Sequence, residues 1–222
     1  RARTRARRMA CPRLAAMELA TDKNFLALDA TQQASVMAAL KKANYDPGRT
    51  TALKELLADK SFGKLPTETK AGLLELISKA PLLPEGTKPK SAAEDFDALV
   101  ALAKDNDLAT LRPNEQKIML QVAGTKSSYH LRIARYLIGK GNLQRSGLNG
   151  KVRDQVFKQL TKGDGRHANA MLTLMKTDGF HNIGPDAQGK LLAFTTKHVR
   201  PEQQEAINKM LEGLKNMNAA TG

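Results

Sequence analysis

The chain has 222 residues, a formal net charge of +14 and a hydrophobic fraction of 41%, enough apolar material for one extended domain or two small ones and too much for a chain disordered by composition. Only 4% of the residues are aromatic and Trp is absent, which favours a Leu, Ala, Ile, Val and Met core between helices over a β-sandwich. No apolar run approaches the ~18 residues that mark a membrane span, and the single cysteine, Cys11, excludes a disulfide framework within the chain.

Residues 1–12 read as a flexible Arg-rich arm. Its first eight residues, RARTRARR, hold five Arg and nothing apolar larger than Ala, so they cannot fold alone. Such an arm suits nucleic acid or an anionic membrane, an Arg-rich leader, or simply the edge of a longer sequence. No apolar segment of signal-peptide length follows it. Cys11 sits there without a neighbouring base, which makes it a poor nucleophile.

From residue 25 onward one spacing recurs five times: a bulky residue, Leu or Ile three on, Gln or a cation eight on, and two apolar residues at eleven and twelve. The copies are Phe25, Leu28, Gln33, Val36, Met37; Phe62, Leu65, Lys70, Leu73, Leu74; Leu108, Leu111, Gln116, Met119, Leu120; Arg145, Leu148, Arg153, Val156, Phe157; and Phe180, Ile183, Gln188, Leu191, Leu192. A period of 35–46 residues is the mark of stacked supersecondary units that cannot bury their apolar faces singly. The expected fold is all-α, about five tandem helix-pair repeats forming a short α-solenoid or compact helical array, with no β-sheet.

Each copy predicts a helix, a joint carrying the first two anchors, and a second helix. Apolar residues at helical spacing place the first helices at Leu53, Leu56 and Leu57, at Leu99 and Leu102, at Ile133, Tyr136 and Leu137, and at Met171, Leu174 and Met175. Pro66, Pro113 and Pro185, followed by Glu68, Glu115 and Asp186, mark the starts of second helices, because Pro in a first turn loses no hydrogen bond and an acid there meets the positive end of the helix dipole. Pro201 with Glu202 repeats the signal before a capping helix whose apolar face is Ile207, Met210, Leu211 and Leu214. The residue at position eight reads as a solvent-facing polar flank. The joint Phe residues read as plugs between diverging helices rather than as an exposed ladder.

Residues 81–90, PLLPEGTKPK, hold three Pro and one Gly and interrupt any helix. They coincide with the one long interval between copies and divide the chain into residues 13–80 (repeats one and two) and 91–222 (repeats three to five with the capping helix), either as a hinge or as a longer loop.

Charge distinguishes the units. Residues 108–166 contain twelve Lys or Arg against three acids, a balance of +9, whereas residues 91–107 hold five acids against Lys104, a balance of −4. The candidate polyanion-binding set is Arg112, Lys117, Lys126, Arg132, Arg135, Lys140, Arg145, Lys151, Arg153, Lys158, Lys162 and Arg166, which would line one groove if the units stack in one direction. Neutral alternatives are pairing with the acidic stretch, and helix-face pairs such as Asp154 with Lys158. Periodicity puts Tyr129, Ile133, Tyr136 and Leu137 on the apolar face of one helix, with Arg132 and Arg135 outward, so no exposed aromatic is expected to interleave with the cations.

No catalytic constellation emerges. The four histidines, His130, His167, His181 and His198, lie in separate segments without metal-ligand spacing, and Ser127 and Ser128 next to His130 are only sequence neighbours. In GDGRHANA (163–170) there is no preceding strand and no phosphate-loop Lys, so Asp164 reads as a helix cap. No metal or cofactor is expected. The sequence reads as a non-catalytic helical repeat module acting as a protein-interaction or scaffold domain with a protein partner. The alternative is sequence-independent binding of nucleic acid or another polyanion through residues 112–166. No membrane span is recognised, and compartment and oligomeric state stay open.

Overall fold

The computed structural model describes residues 12–139, 143, 148–197 and the four residues 205, 206, 209 and 213. Lys140, Arg145, residues 1–11 of the expected arm with Cys11, His198 and most of the expected capping helix lie outside the described residues.

The described chain is all-α, with no strand. Its α-helices are α1 (Pro12–Ala20), α2 (Lys23–Leu26), α3 (Ala30–Lys42), α4 (Pro47–Ala58), α5 (Lys60–Lys64), α6 (Thr67–Lys79), α7 (Phe96–Ala103), α8 (Pro113–Thr125), α9 (Ser128–Ile138), α10 (Gly150–Lys162), α11 (Gly165–Met175), α12 (Asp178–Asn182) and α13 (Pro185–Lys197). Short 3-10 turns cover Ala92–Glu94 and Leu108–Thr110. Asp22, Asp29, Asp46, Asp59, Asp95, Ser127, Asn149 and Asp164 cap helix starts with side-chain oxygens, each satisfying N–H groups that have no partner within the helix. The Pro signals at residues 66, 113 and 185 fall at the starts of α6, α8 and α13, as expected.

Two series of helices pack side by side. One consists of α1, α4, α7, α9 and α11, and the other of α3, α6, α8, α10 and α13, each helix against the next in its own series. Contacts near matching ends show that neighbours in a series run parallel. Gln32 near the start of α3 donates to the Thr67 carbonyl at the start of α6, and Lys42 at the end of α3 donates to the Lys79 carbonyl at the end of α6. In the first series, Lys54 pairs with Glu18, Lys104 with Glu55 and Arg135 with Asp105, in each case near the C-terminal ends of neighbouring helices.

The joints are α2, α5, the Leu108–Thr110 turn and α12. Their anchors Phe25, Phe62, Leu108 and Phe180 are all buried in one apolar core that runs from Leu19 to Leu192. Residues 81–90 carry no helix, turn through Gly86 at a φ of +78°, and are flanked by helices that pack on each other, α6 and α4 both meeting α7. The buried Arg49 guanidinium donates to the Ala80 carbonyl at 3.0 Å and lies 4.4 Å over the Phe96 ring, fixing the start of this segment to α4 and α7.

Position eight does not face water as a free flank. Gln33 Nε2 donates to the carbonyls of Phe25 (3.3 Å) and Leu28 (3.0 Å), Gln116 Nε2 to that of Leu111 (3.1 Å), and Gln188 Nε2 to that of Phe180 (3.0 Å), while Lys70 Nζ reaches the Gly63 carbonyl (2.8 Å). A joint too short to close its own hydrogen bonds leaves carbonyls exposed. The long side chain one turn into the next helix reaches back to satisfy them.

The face of α9 also differs from expectation. Its core side is His130, Leu131, Ala134, Leu137 and Ile138, and Tyr129 and Tyr136 are 47% and 51% exposed. Both stripes have helical spacing. The one with two tyrosines looks more apolar because His130 reads as polar, yet His130 is only 1% exposed. Burial of four aliphatic side chains outweighs that of two phenols whose hydroxyls would need partners.

Candidate interaction surface

Ten of the twelve candidate cations lie among the described residues, on helices of both series. Four are engaged with carboxylates: Arg112 with Glu115 and Asp154, Arg153 with Glu115, Arg135 with Asp105, and Arg166 with Asp164. Asp154 thus reaches across to Arg112 rather than to Lys158. Lys140 and Arg145 lie outside the described residues. Lys117, Lys126, Arg132, Lys151, Lys158 and Lys162 form no ion pair with a described carboxylate. Lys117 on α8 and Lys151, Lys158 and Lys162 on α10 belong to the second helix series, with Lys126 at the C-cap of α8, whereas Arg132 belongs to the first. The α10 lysines and Arg132 thus sit on helices of different series.

Glu115 is the centre of a clasp between α8 and α10. It is 2% exposed, accepts from the Arg112 backbone N–H (2.9 Å) and Arg112 Nε (2.8 Å), and takes both Arg153 Nε (2.6 Å) and Arg153 Nη2 (2.8 Å). Burial would raise its pKa, but the hydrogen bonds from Arg153 and Arg112 outweigh that and hold the carboxyl at about 2. Arg112, which lines an open recess of about 620 Å³, is therefore already neutralised by Glu115 and Asp154.

The clasp belongs to a wider pattern. Gln32, Thr69 and Glu115 each occupy position seven of their copy, each is buried, and each bonds to the following unit: Gln32 to the Thr67 carbonyl, Thr69 Oγ1 to Gln116 Oε1 at 2.7 Å, and Glu115 to Arg153. One copy further the bond comes from position ten, where Gln155 Nε2 donates to the Gly189 carbonyl at 2.6 Å. Position seven is hard to find in the sequence because its residue type changes from copy to copy, polar in Gln32, Thr69 and Glu115 but apolar in Val152 and Ala187.

The outward face of α9 and α11 combines rings and cations. Arg132 lies 6.0 Å from the Tyr129 ring centroid and Lys176, at the end of α11, 4.3 Å from that of Tyr136. Tyr129 packs so closely on Gly165 that a Cβ there would stand 2.5 Å from its Cδ1. The start of α11 is not an open anion site. Asp164 accepts the Arg166 (2.9 Å) and His167 (3.2 Å) backbone N–H groups and pairs with both side chains. Burial would raise its pKa, but those bonds take its carboxyl below the usual range.

His130 stands beneath this face, with no hydrogen-bond partner among the described residues for either ring nitrogen or for the nearby Ser128 Oγ. Burial, helped by the Lys126 ammonium, lowers its pKa to about 4; the Leu160 carbonyl and Asp164 favour the charged ring but only in part. The Ser127 hydroxyl accepts the His130 backbone N–H at 3.1 Å as a cap, and His181 Nε2 meets the Met175 carbonyl at 2.8 Å. Among the described residues no group of three or more His, Cys, Asp or Glu could hold a metal, and no helix is long and apolar enough to cross a membrane.

Compared with known proteins, the chain matches no protein family, no curated protein and no solved structure.

Proposed function

We propose that the chain is a non-catalytic helical-repeat module, a short α-solenoid of tandem helix pairs, that serves as an interaction or scaffold domain for a protein partner. The observation that supports this reading is the parallel alignment of helices within each series, joined from unit to unit by buried polar side chains at position seven. Such a stack fixes a broad surface without needing a pocket, the arrangement by which repeat proteins bind extended partners. Exposed Leu14 and Met17 on α1 and Leu26 on α2 supply apolar contact at the first unit. Affinity capture at low and moderate salt tests it. A protein retained at both, and lost with Leu14→Ser and Met17→Ser, supports the reading; capture of nothing, or only of salt-sensitive polyanions, speaks against it.

A second reading, binding of nucleic acid or another polyanion, is favoured by the six cations that no described carboxylate neutralises. Heparin retention that falls when Lys151, Lys158 and Lys162 are changed to Glu would support it, and retention unchanged by those substitutions and by Arg132→Glu would rule out both faces.

A further inference from the structure

Tyrosines half exposed next to cations are unusual in a chain with only three Tyr and no Trp. We propose that the outward face of α9 and α11 binds single-stranded nucleic acid, with Tyr129 and Tyr136 as stacking platforms for bases and Arg132 and Lys176 as phosphate contacts. This deepens the polyanion reading by naming the polyanion and the face, and it rests on that reading.

Seven residues separate the two tyrosines, so they lie on one side of α9 about 10 Å apart along its axis, at 1.5 Å per residue. Contacts between Tyr129 and Gly165 at the helix starts and between Tyr136 and Lys176 at the ends make α9 and α11 parallel. The rings and cations thus form a strip along a fixed two-helix platform rather than a mobile loop. Arg132 and Lys176 pair with no described carboxylate, and each is already placed against a ring. A base on the phenol and its phosphate on the adjacent cation would use both groups at once. A duplex offers no free base faces to the rings. An acidic peptide would leave them unused.

The test uses the full chain, a fluorescein-labelled oligothymidylate, the matching duplex and polyglutamate, followed by fluorescence anisotropy. The wild type should bind the single strand more tightly than the duplex. With two phosphate contacts, log affinity should fall against log salt with a slope of roughly −1.4. Tyr129→Leu with Tyr136→Leu should weaken the single strand by about fivefold or more per ring, Tyr→Phe at both sites should restore it, and heparin retention should not change. Because Tyr129 packs on Gly165, Tyr136→Leu alone serves as the folded control, with circular dichroism reporting the fold. Equal affinity of wild type and Tyr136→Leu for the single strand, or no binding of it while heparin is retained, overturns this inference and leaves the polyanion reading standing. Polyglutamate bound as tightly as the oligonucleotide would assign the face to an acidic protein. Failure to bind any of these polyanions removes both readings.

Discussion

Acidification should loosen the fold through His130. In the folded chain its ring is neutral with a pKa of about 4 against 6.5 for an unperturbed ring, so as pH falls the unfolded chain takes up the proton first. Its contribution is therefore fully present above about pH 6.5 and lost progressively down to about pH 4. A shift of about 2.5 units at 1.36 kcal/mol each amounts to about 3 kcal/mol in total, of which about 2 kcal/mol is gone by about pH 5. Urea unfolding followed by circular dichroism at about pH 8, 6 and 5 measures it, with His130→Leu as the reference. Leu fills similar space and removes two unpaired ring nitrogens, so the variant should match or exceed the wild type at high pH. The two stability curves should then diverge by about 2 kcal/mol at about pH 5. Parallel curves would refute the buried, unpaired histidine.

Three further substitutions, with Gln121→Ala as a control, probe the polar framework and the joints. Glu115→Gln should cost about 2 kcal/mol or more near neutral pH, since it leaves Arg153 and Arg112 without their shared charge; that contribution belongs to a lowered carboxyl pKa, so it is present above about pH 4.5 and fades toward about pH 2. Gln116→Ala strands the Leu111 carbonyl and the Thr69 hydroxyl and should cost about 2 kcal/mol in urea unfolding, whereas Gln121→Ala on the exposed side of α8 should cost less than about 0.5 kcal/mol. Phe62→Ala should cost about 3–5 kcal/mol, a loss that a solvent-facing ladder residue would not show.

The parts of the fold legible in the sequence are those set by local rules. Pro66, Pro113 and Pro185 place helix starts because a first turn tolerates a missing N–H, and the Phe anchors recur because every joint needs a plug. Asp164 was recognisable as a cap from its two glycines. What stayed hidden depends on partners far along the chain. Position seven acquires meaning only when Thr69 meets Gln116, 47 residues away, and position eight only once the joint turns its carbonyls toward the next helix. For α9, two stripes of the same period competed, and a buried histidine disguised the true one. For the basic residues, sequence distance does not show that α9 and α10 belong to different helix series.

The central claim, a linear stack of parallel helix pairs, is tested by distances between equivalent outward positions. Ala38 on α3, Gln121 on α8 and Lys158 on α10 each sit thirteen residues after their copy's first position and are exposed. With Cys11 changed to Ser and spin labels placed pairwise, neighbouring helices at 8–10 Å predict about 16–20 Å from position 38 to 121 and about 24–30 Å from 38 to 158 by electron–electron resonance. A 38-to-158 distance equal to or shorter than 38-to-121 would mean that the helices close on themselves, and would contradict the stack.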